Sequence, residues 1–297
     1  MSAAPRILVT GASGRLGRLL LPRLLARGAH VRALTRQHAL APAWRDQGVE
    51  AAIGDFGDAD ALRRALDGST HLFLLSPITP TLATEQIAVI EAAAAAGVRR
   101  IVKLSGSHWT LEPPGRSLSG DAHAQIEASL HRSGIAHRVL RPNAWLQVML
   151  ARVPAELAAG DVLQAPPGDP KVAFIDARDI ADVAVEALYE STAESGDASA
   201  PWVLTGAEAV GYREIARIAA RITGRPIAAV PLSAQAQRER IAQAPSPYIA
   251  EVHAQFARLI GAGEAAGTTD TVTQVLGRPP RTVAAYLDEL LAPKTAP

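Results

Sequence analysis

At 297 residues, with an apolar fraction of 48% and a formal net charge of +1, the chain is long enough to bury a core unaided. Its 30 basic and 29 acidic residues are mixed along its length, so no field exists to recruit nucleic acid or a membrane surface. It has no cysteine, which excludes disulfides, thiolate catalysis and cysteine-ligated metal. The first residues hold no apolar core with a cleavage site, and no window approaches the ~18 apolar residues of a membrane span. Residence in the cytoplasm and a small-molecule partner are expected, with no nucleic acid, no membrane and no metal involved.

The first element is a short apolar strand, Ile7-Leu-Val9, followed by a glycine turn and a helix with Leu16, Leu19, Leu20, Leu24 and Leu25 at helical spacing. The glycines fall at Gly11, Gly14 and Gly17, a G-x-x-G-x-x-G spacing close to that of dinucleotide-binding turns. A turn without side chains lets backbone N–H groups approach a pyrophosphate at a helix N-terminus, where unpaired donors and the helix dipole favour an anion. The last glycine lets the helix pack closely on the strand. Gly11, Ser13, Gly14, Arg15, Leu16 and Gly17 are therefore expected to cradle a dinucleotide. Thr10-Gly-Ala-Ser-Gly-Arg-Leu-Gly17 resembles the TGxxGxxG loop of atypical short-chain dehydrogenases/reductases, particularly the NmrA-like group.

The second strand, Ala29-His-Val-Arg-Ala-Leu-Thr-Arg36, ends where NAD-preferring enzymes place an acid to grip the ribose 2′-hydroxyl. No acidic residue precedes Asp46, whereas Arg15, Arg32 and Arg36 do. Guanidinium forks suit phosphate, so NADPH is expected over a weaker NADH, with Arg36 as chief 2′-phosphate ligand and Arg15 as the second candidate. A third strand, Val49–Ile53, runs into Asp55 and Phe56. In the resembling family an acid here meets the adenine amino group and an apolar neighbour covers the ring; capping of the next helix is the alternative role for Asp55.

The fourth strand spans His71–Ser76, and its end, Leu75-Ser76-Pro77, is expected beside the nicotinamide half of the coenzyme. A helix over about Thr81 to Ala96, closed at Gly97, leads to a fifth strand, Arg100–Ser105. This alternation predicts an α/β fold of Rossmann type, a doubly wound parallel sheet, with a smaller and mostly helical C-terminal substrate lobe. Ligands bind at the carboxyl ends of such strands, where Arg15, Arg36, Asp55, Ser76 and Ser105 fall. The segment from Gly106 to Gly120, with His108 and Trp109, is long, polar and rich in Pro and Gly. It reads as a mobile flap over the nicotinamide or a disordered surface loop.

Short-chain dehydrogenases polarise a carbonyl with a Ser and a Tyr, the Tyr four residues before a Lys. By that resemblance Ser105 stands in the Ser place. Counting back from Glu127 on the helix Asp121–Ser133 puts His123 in the Lys place and Ser119 in the Tyr place. The Tyr-x-x-x-Lys pair is thus absent, and ordinary carbonyl chemistry loses its proton donor. His123 is the foremost candidate to donate a proton or bond the nicotinamide ribose. Glu127 and Lys103 are assigned to structure, Lys103 because it lies mid-strand.

Arg141-Pro-Asn-Ala-Trp-Leu-Gln147 resembles the family's L-R-P-x-x-F stretch, which implies that Pro142 and Asn143 line the coenzyme. Ser76, His108, Trp109, Asn143 and Trp145 are the expected substrate pocket. Val172–Asp176 reads as a strand entering a helix that Asp176 or Asp179 caps. Trp202–Gly206 is another strand, Tyr212–Thr223 an amphipathic helix and Ile227–Val230 a short strand. The expected division is a coenzyme domain over 1–153 and 171–205 and a substrate lobe over 154–170 and 206–297, with Pro293–Pro297 a disordered tail.

The overall layout resembles flavin-independent azo, quinone and triphenylmethane reductases. Hydride transfer from NADPH to a quinone- or azo-like aromatic acceptor is the function this implies, by a monomer or homodimer. The alternatives are a catalytically silent NADP(H)-sensing regulator and a reductase of a biosynthetic imine or carbonyl intermediate.

Overall fold

The computed structural model describes residues 4–190 and 200–292. The expected disordered tail Pro293–Pro297 lies outside the described residues. The chain divides into two compact units, the first made of residues 1–106, 118–141 and 180–202, the second of 107–117, 142–179 and 203–297. The second unit takes in residues 107–117, 142–153, 171–179 and 203–205, which the sequence assigns to the coenzyme domain.

Unit 1 is organised on a parallel sheet. Strands β1 (Arg6–Val9), β2 (His30–Thr35), β3 (Val49–Ile53), β4 (His71–Leu74), β5 (Arg100–Leu104) and β6 (Ala136–Pro142) stand in the order β3-β2-β1-β4-β5-β6. Every one of those pairings is parallel. A seventh strand, Trp202–Leu204, borders β6. The order reverses between β1 and β4, the place where doubly wound sheets open a crevice for ligands. Continuous apolar runs make this possible: Ile7, Leu8 and Val9 of β1 and Leu72, Phe73 and Leu74 of β4 are buried, as a sheet covered on both faces requires.

The helices between strands follow the sequence signals. Arg15–Ala26 begins directly after the glycine turn, and Leu82–Ala95 ends before Gly97, whose φ of +73° suits glycine. The carboxyl ends of β1 and β4 are joined by Thr10, wholly buried. Its Oγ1 accepts from the Leu75 amide at 2.8 Å and lies 2.8 Å from the Leu75 carbonyl.

Unit 2 gathers its own apolar core from Leu146, Leu157, Leu163, Phe174, Ile215, Leu259 and Leu287, among others. Val162–Ala165 and Ala228–Pro231 form a two-stranded parallel sheet, and the helix Tyr212–Thr223 packs its apolar face into that core. The expected strand at Val172–Asp176 is instead an extended stretch held by separate partners: Val172 bonds Val210, Ala173 bonds Ala265 and Ile175 bonds Ala144. Among the described residues no helix is long and apolar enough to cross a membrane.

Candidate active site

The glycine turn departs from ordinary packing at two points. Gly11 has φ +64°, and a Cβ there would lie 2.9 Å from the Leu75 side chain; a Cβ on Gly17 would collide with the Ala12 backbone. Gly14 is the N-cap of the helix Arg15–Ala26, and no side chain caps it. Its first amides therefore keep the donor capacity that a phosphate satisfies. Ser13 is half-buried with its carbonyl accepting from Arg18 Nε at 3.0 Å, while Leu16 is buried and roots the helix in the core.

The three early arginines separate clearly. Arg32 is consumed: its Nη1 donates to the carbonyls of Ala65 (2.8 Å) and Asp67 (2.7 Å). Its Nε stands 2.9 Å from the Glu50 carboxylate, an ion pair by distance although the angle makes no hydrogen bond. Arg36, just past β2, and Arg15, at the helix start, are exposed, and neither has a partner among the described residues. Asp55 is exposed and does not cap the helix Ala59–Leu66, which Asp58 caps through the Ala61 amide; its Oδ1 accepts from the amides of Gly57 (2.9 Å) and Asp58 (3.1 Å). Phe56 packs partly against the unit 1 core. Past β4, Ser76 Oγ accepts from Gln86 Nε2 at 2.8 Å, and Pro77 is exposed.

Beyond β5 lies a polar knot. Ser105 donates from Oγ to Glu127 Oε1 at 2.5 Å, and Arg141 grips the same carboxylate through Nη2 (2.6 Å) and Nε (3.2 Å). Periodicity explains the convergence: Ser119, His123 and Glu127 are spaced by four on the helix Leu118–Arg132, and Lys103 and Ser105 share one face of β5. Lys103, wholly buried, places Nζ 3.1 Å from His123 Nδ1 and donates to the Leu104 carbonyl at 2.7 Å. Burial brings its ammonium down to about 7, against the upward pull of Glu127. Burial first, then the charges of Lys103 and Arg141, hold His123 well below the ordinary histidine range, so the ring is neutral near neutrality. Ser119 Oγ is sealed from solvent and has no hydrogen-bond partner among the described residues. The sequence does not reveal that Lys103, Glu127 and Arg141 meet around Ser105 and His123. The alternation that places Lys103 on the Ser105 side was the available signal.

In unit 2 the expected flap is ordered. Residues His108–Leu111 form a short helix whose Trp109, Thr110 and Leu111 are buried, because Trp109 supplies apolar surface to the unit's core. Trp109 donates from Nε1 to Asn143 Oδ1 at 2.7 Å and stands edge-on to Phe256. Asn143 also donates from Nδ2 to the Ala265 carbonyl at 2.9 Å, and Pro142 accepts from Ser107 at 2.8 Å. The side chains of Trp109 and Asn143 are thus spent largely on each other. His108 is exposed, 3.8 Å from Glu112, and Trp145 is half-buried at the start of the short helix Leu146–Met149. Asp176 caps the helix Ala177–Tyr189 through the Arg178 amide at 2.8 Å, while Asp179 takes the Arg281 amide at 2.7 Å instead.

A doubly wound sheet whose first glycine turn leaves a helix start uncapped defines a dinucleotide-binding α/β protein. Comparison with known proteins gives the family: the NmrA-like family model matches residues 4–287, and the chain belongs to that family. It is 36% identical over 275 residues to the (4-alkanoyl-5-oxo-2,5-dihydrofuran-3-yl)methyl phosphate reductase of Streptomyces griseus, covering 93% of this chain and 94% of that protein. It is 31% identical to the NAD(P)H azoreductase of Xenophilus azovorans, covering 94% and 96%. Among solved structures, the NADPH complex of the quinone oxidoreductase QOR2 from Escherichia coli aligns with a TM-score of 0.82 at 28% identity, over 96% of this chain and 99% of that one.

Proposed function

We propose that this chain is an NADPH-dependent oxidoreductase that passes hydride to a quinone- or azo-like aromatic acceptor. One observation carries the reading: a glycine turn in which a Cβ at Gly11 would crowd Leu75 and one at Gly17 the Ala12 backbone, at an uncapped helix start, with the unpaired Arg36 at the end of the neighbouring strand. The residues present fit NADPH. Main-chain amides of the turn would hold its pyrophosphate, and Arg36, with Arg15 second, its 2′-phosphate. Asp55 keeps Oδ2 for the adenine amine beside Phe56, while Leu75, Ser76 and Pro77 line the chain past the turn. The coenzyme supplies the hydride.

The chain must then supply orientation and a proton. Ser105 spends its own hydrogen on Glu127, so toward a ligand its oxygen can only accept. The proton therefore falls to His123, whose Nδ1 lies 3.1 Å from Lys103 Nζ. The azoreductase and quinone oxidoreductase relatives support an azo- or quinone-like acceptor. A second reading, reduction of a biosynthetic carbonyl intermediate, is favoured by the Streptomyces griseus relative and its furanone phosphate substrate.

The test is a panel of menadione, methyl red and small unsaturated lactones, following loss of the reduced-nicotinamide absorbance. Acceptor-dependent oxidation of NADPH is expected with a quinone or azo dye. Tight NADPH binding without oxidation by any acceptor would instead mark an NADP(H) sensor, and oxidation by the lactones alone would select the second reading.

A further inference from the structure

Lys103 sits in the middle of a parallel strand, wholly buried, and no carboxylate makes an ion pair with it among the described residues. Burying a lysine without such a partner is costly, and an apolar side chain of the same length would spare the cost. Its contacts show what it does there: one hydrogen goes to the Leu104 carbonyl and Nζ lies against His123 Nδ1. The charged groups around the pair are otherwise occupied. On the helix that carries His123, Glu127 is locked by Ser105 and Arg141; from β6, Arg141 adds positive potential.

We propose that Lys103 is the positioning residue and proton reserve behind His123, holding Nδ1 so that the neutral ring presents Nε2–H and refilling the ring when that proton leaves. The idea rests on the reductase reading for its chemistry. As the acceptor takes its electron pair from the coenzyme, the Nε2–H bond breaks and an O–H or N–H bond forms on the acceptor. At the same time an Nζ–H bond of the Lys103 ammonium breaks and an Nδ1–H bond forms. The histidine stays neutral with its hydrogen moved across the ring, and Lys103 is left as an amine. A proton from water then restores the starting state. Without this reserve the neutral imidazole would have to become an imidazolate, which is out of reach near neutrality.

The test has two arms. Nitrogen-15 NMR of histidine-labelled protein without coenzyme, with the His123 signals assigned by their loss in His123→Gln, should show a protonated Nε2 and a bare Nδ1. The ring should stay uncharged well below the usual histidine range. In Lys103→Met the same ring should titrate at higher pH and populate both tautomers. In turnover with menadione, wild-type kcat should fall as pH rises through neutrality, where Lys103 loses its proton. Lys103→Met should lose that limb and about 10²-fold in kcat, with NADPH affinity unchanged. A wild-type ring protonated on Nδ1, or a folded Lys103→Met with the kcat and pH profile of the wild type, overturns the proposal. Where Lys103→Met does not fold, the wild-type titration decides. Where no acceptor oxidises NADPH, the reductase reading fails while the NMR arm still settles the pairing.

Discussion

Arg36 is the side chain to which the proposed coenzyme preference is assigned. It stands exposed and unpaired past β2, while Arg32, two turns of the alternation earlier, is tied down by the Ala65 and Asp67 carbonyls. A charge-assisted fork on a phosphate contributes roughly 1.5–3 kcal/mol, and reversing the charge adds repulsion. Arg36→Asp is therefore expected to weaken NADPH binding by about 10–100-fold and to leave NADH binding nearly unchanged; fluorescence titration with both coenzymes checks it. The arginine was legible in the sequence because no acid precedes Asp46 to compete for the ribose. The Lys103–His123 contact was not legible. It depends on which face of the helix Leu118–Arg132 meets β5, a register that a separation of 20 residues does not encode.

Among the elements, the strand, glycine turn and helix at the start of the chain stand where the sequence places them. Gly17 faces the Ala12 backbone so closely that a methyl group collides with main chain rather than with a movable side chain. Gly17→Ala is expected to cost at least about 3 kcal/mol, the upper range of overpacking, seen as a lowered denaturation midpoint together with lost NADPH binding. Arg15→Ala serves as control for the denaturation midpoint alone, because its exposed side chain has no folded-state partner to lose. The segment 107–117 was misread for a physical reason. Its Pro, Gly and charge content resembles a surface connection, yet a single indole, Trp109, buries enough area and finds a polar partner in Asn143 to order it. Composition does not reveal a partner 34 residues away.

At the scale of the whole molecule, buried bases set the response to acid. His71 is held at about 4 rather than 6.5, by burial first and then by Arg99 and Arg100, and Lys103 at about 7 rather than 10.5. Both folded-state values lie below the ordinary ones, so the unfolded chain binds the extra protons. Stability is then lost as pH falls from about 6.5 toward 4 through His71, and Lys103 adds stability as pH rises from 7 toward 10.5. Thermal melts at pH 5, 7 and 9 are expected to give a rising Tm. His71→Gln should reduce the acid-side slope, to which the neutral His123 also contributes, and Lys103→Met the alkaline side; a Tm that declines from pH 5 to 9 contradicts this. The parallel architecture was plain from alternating apolar runs and glycine punctuation, whereas the make-up of the second unit was hidden because it is drawn from three separated stretches.

That interleaving bears on how the chain is made. Emerging from the ribosome N-terminus first, it delivers residues 107–117 of unit 2 before unit 1 has received 118–141 and 180–202. Neither unit can finish while the other waits, so a nascent chain halted near residue 180 carries the apolar edges of both. Premature stops in that region should therefore yield aggregates and chaperone clients rather than a half-sized folded fragment.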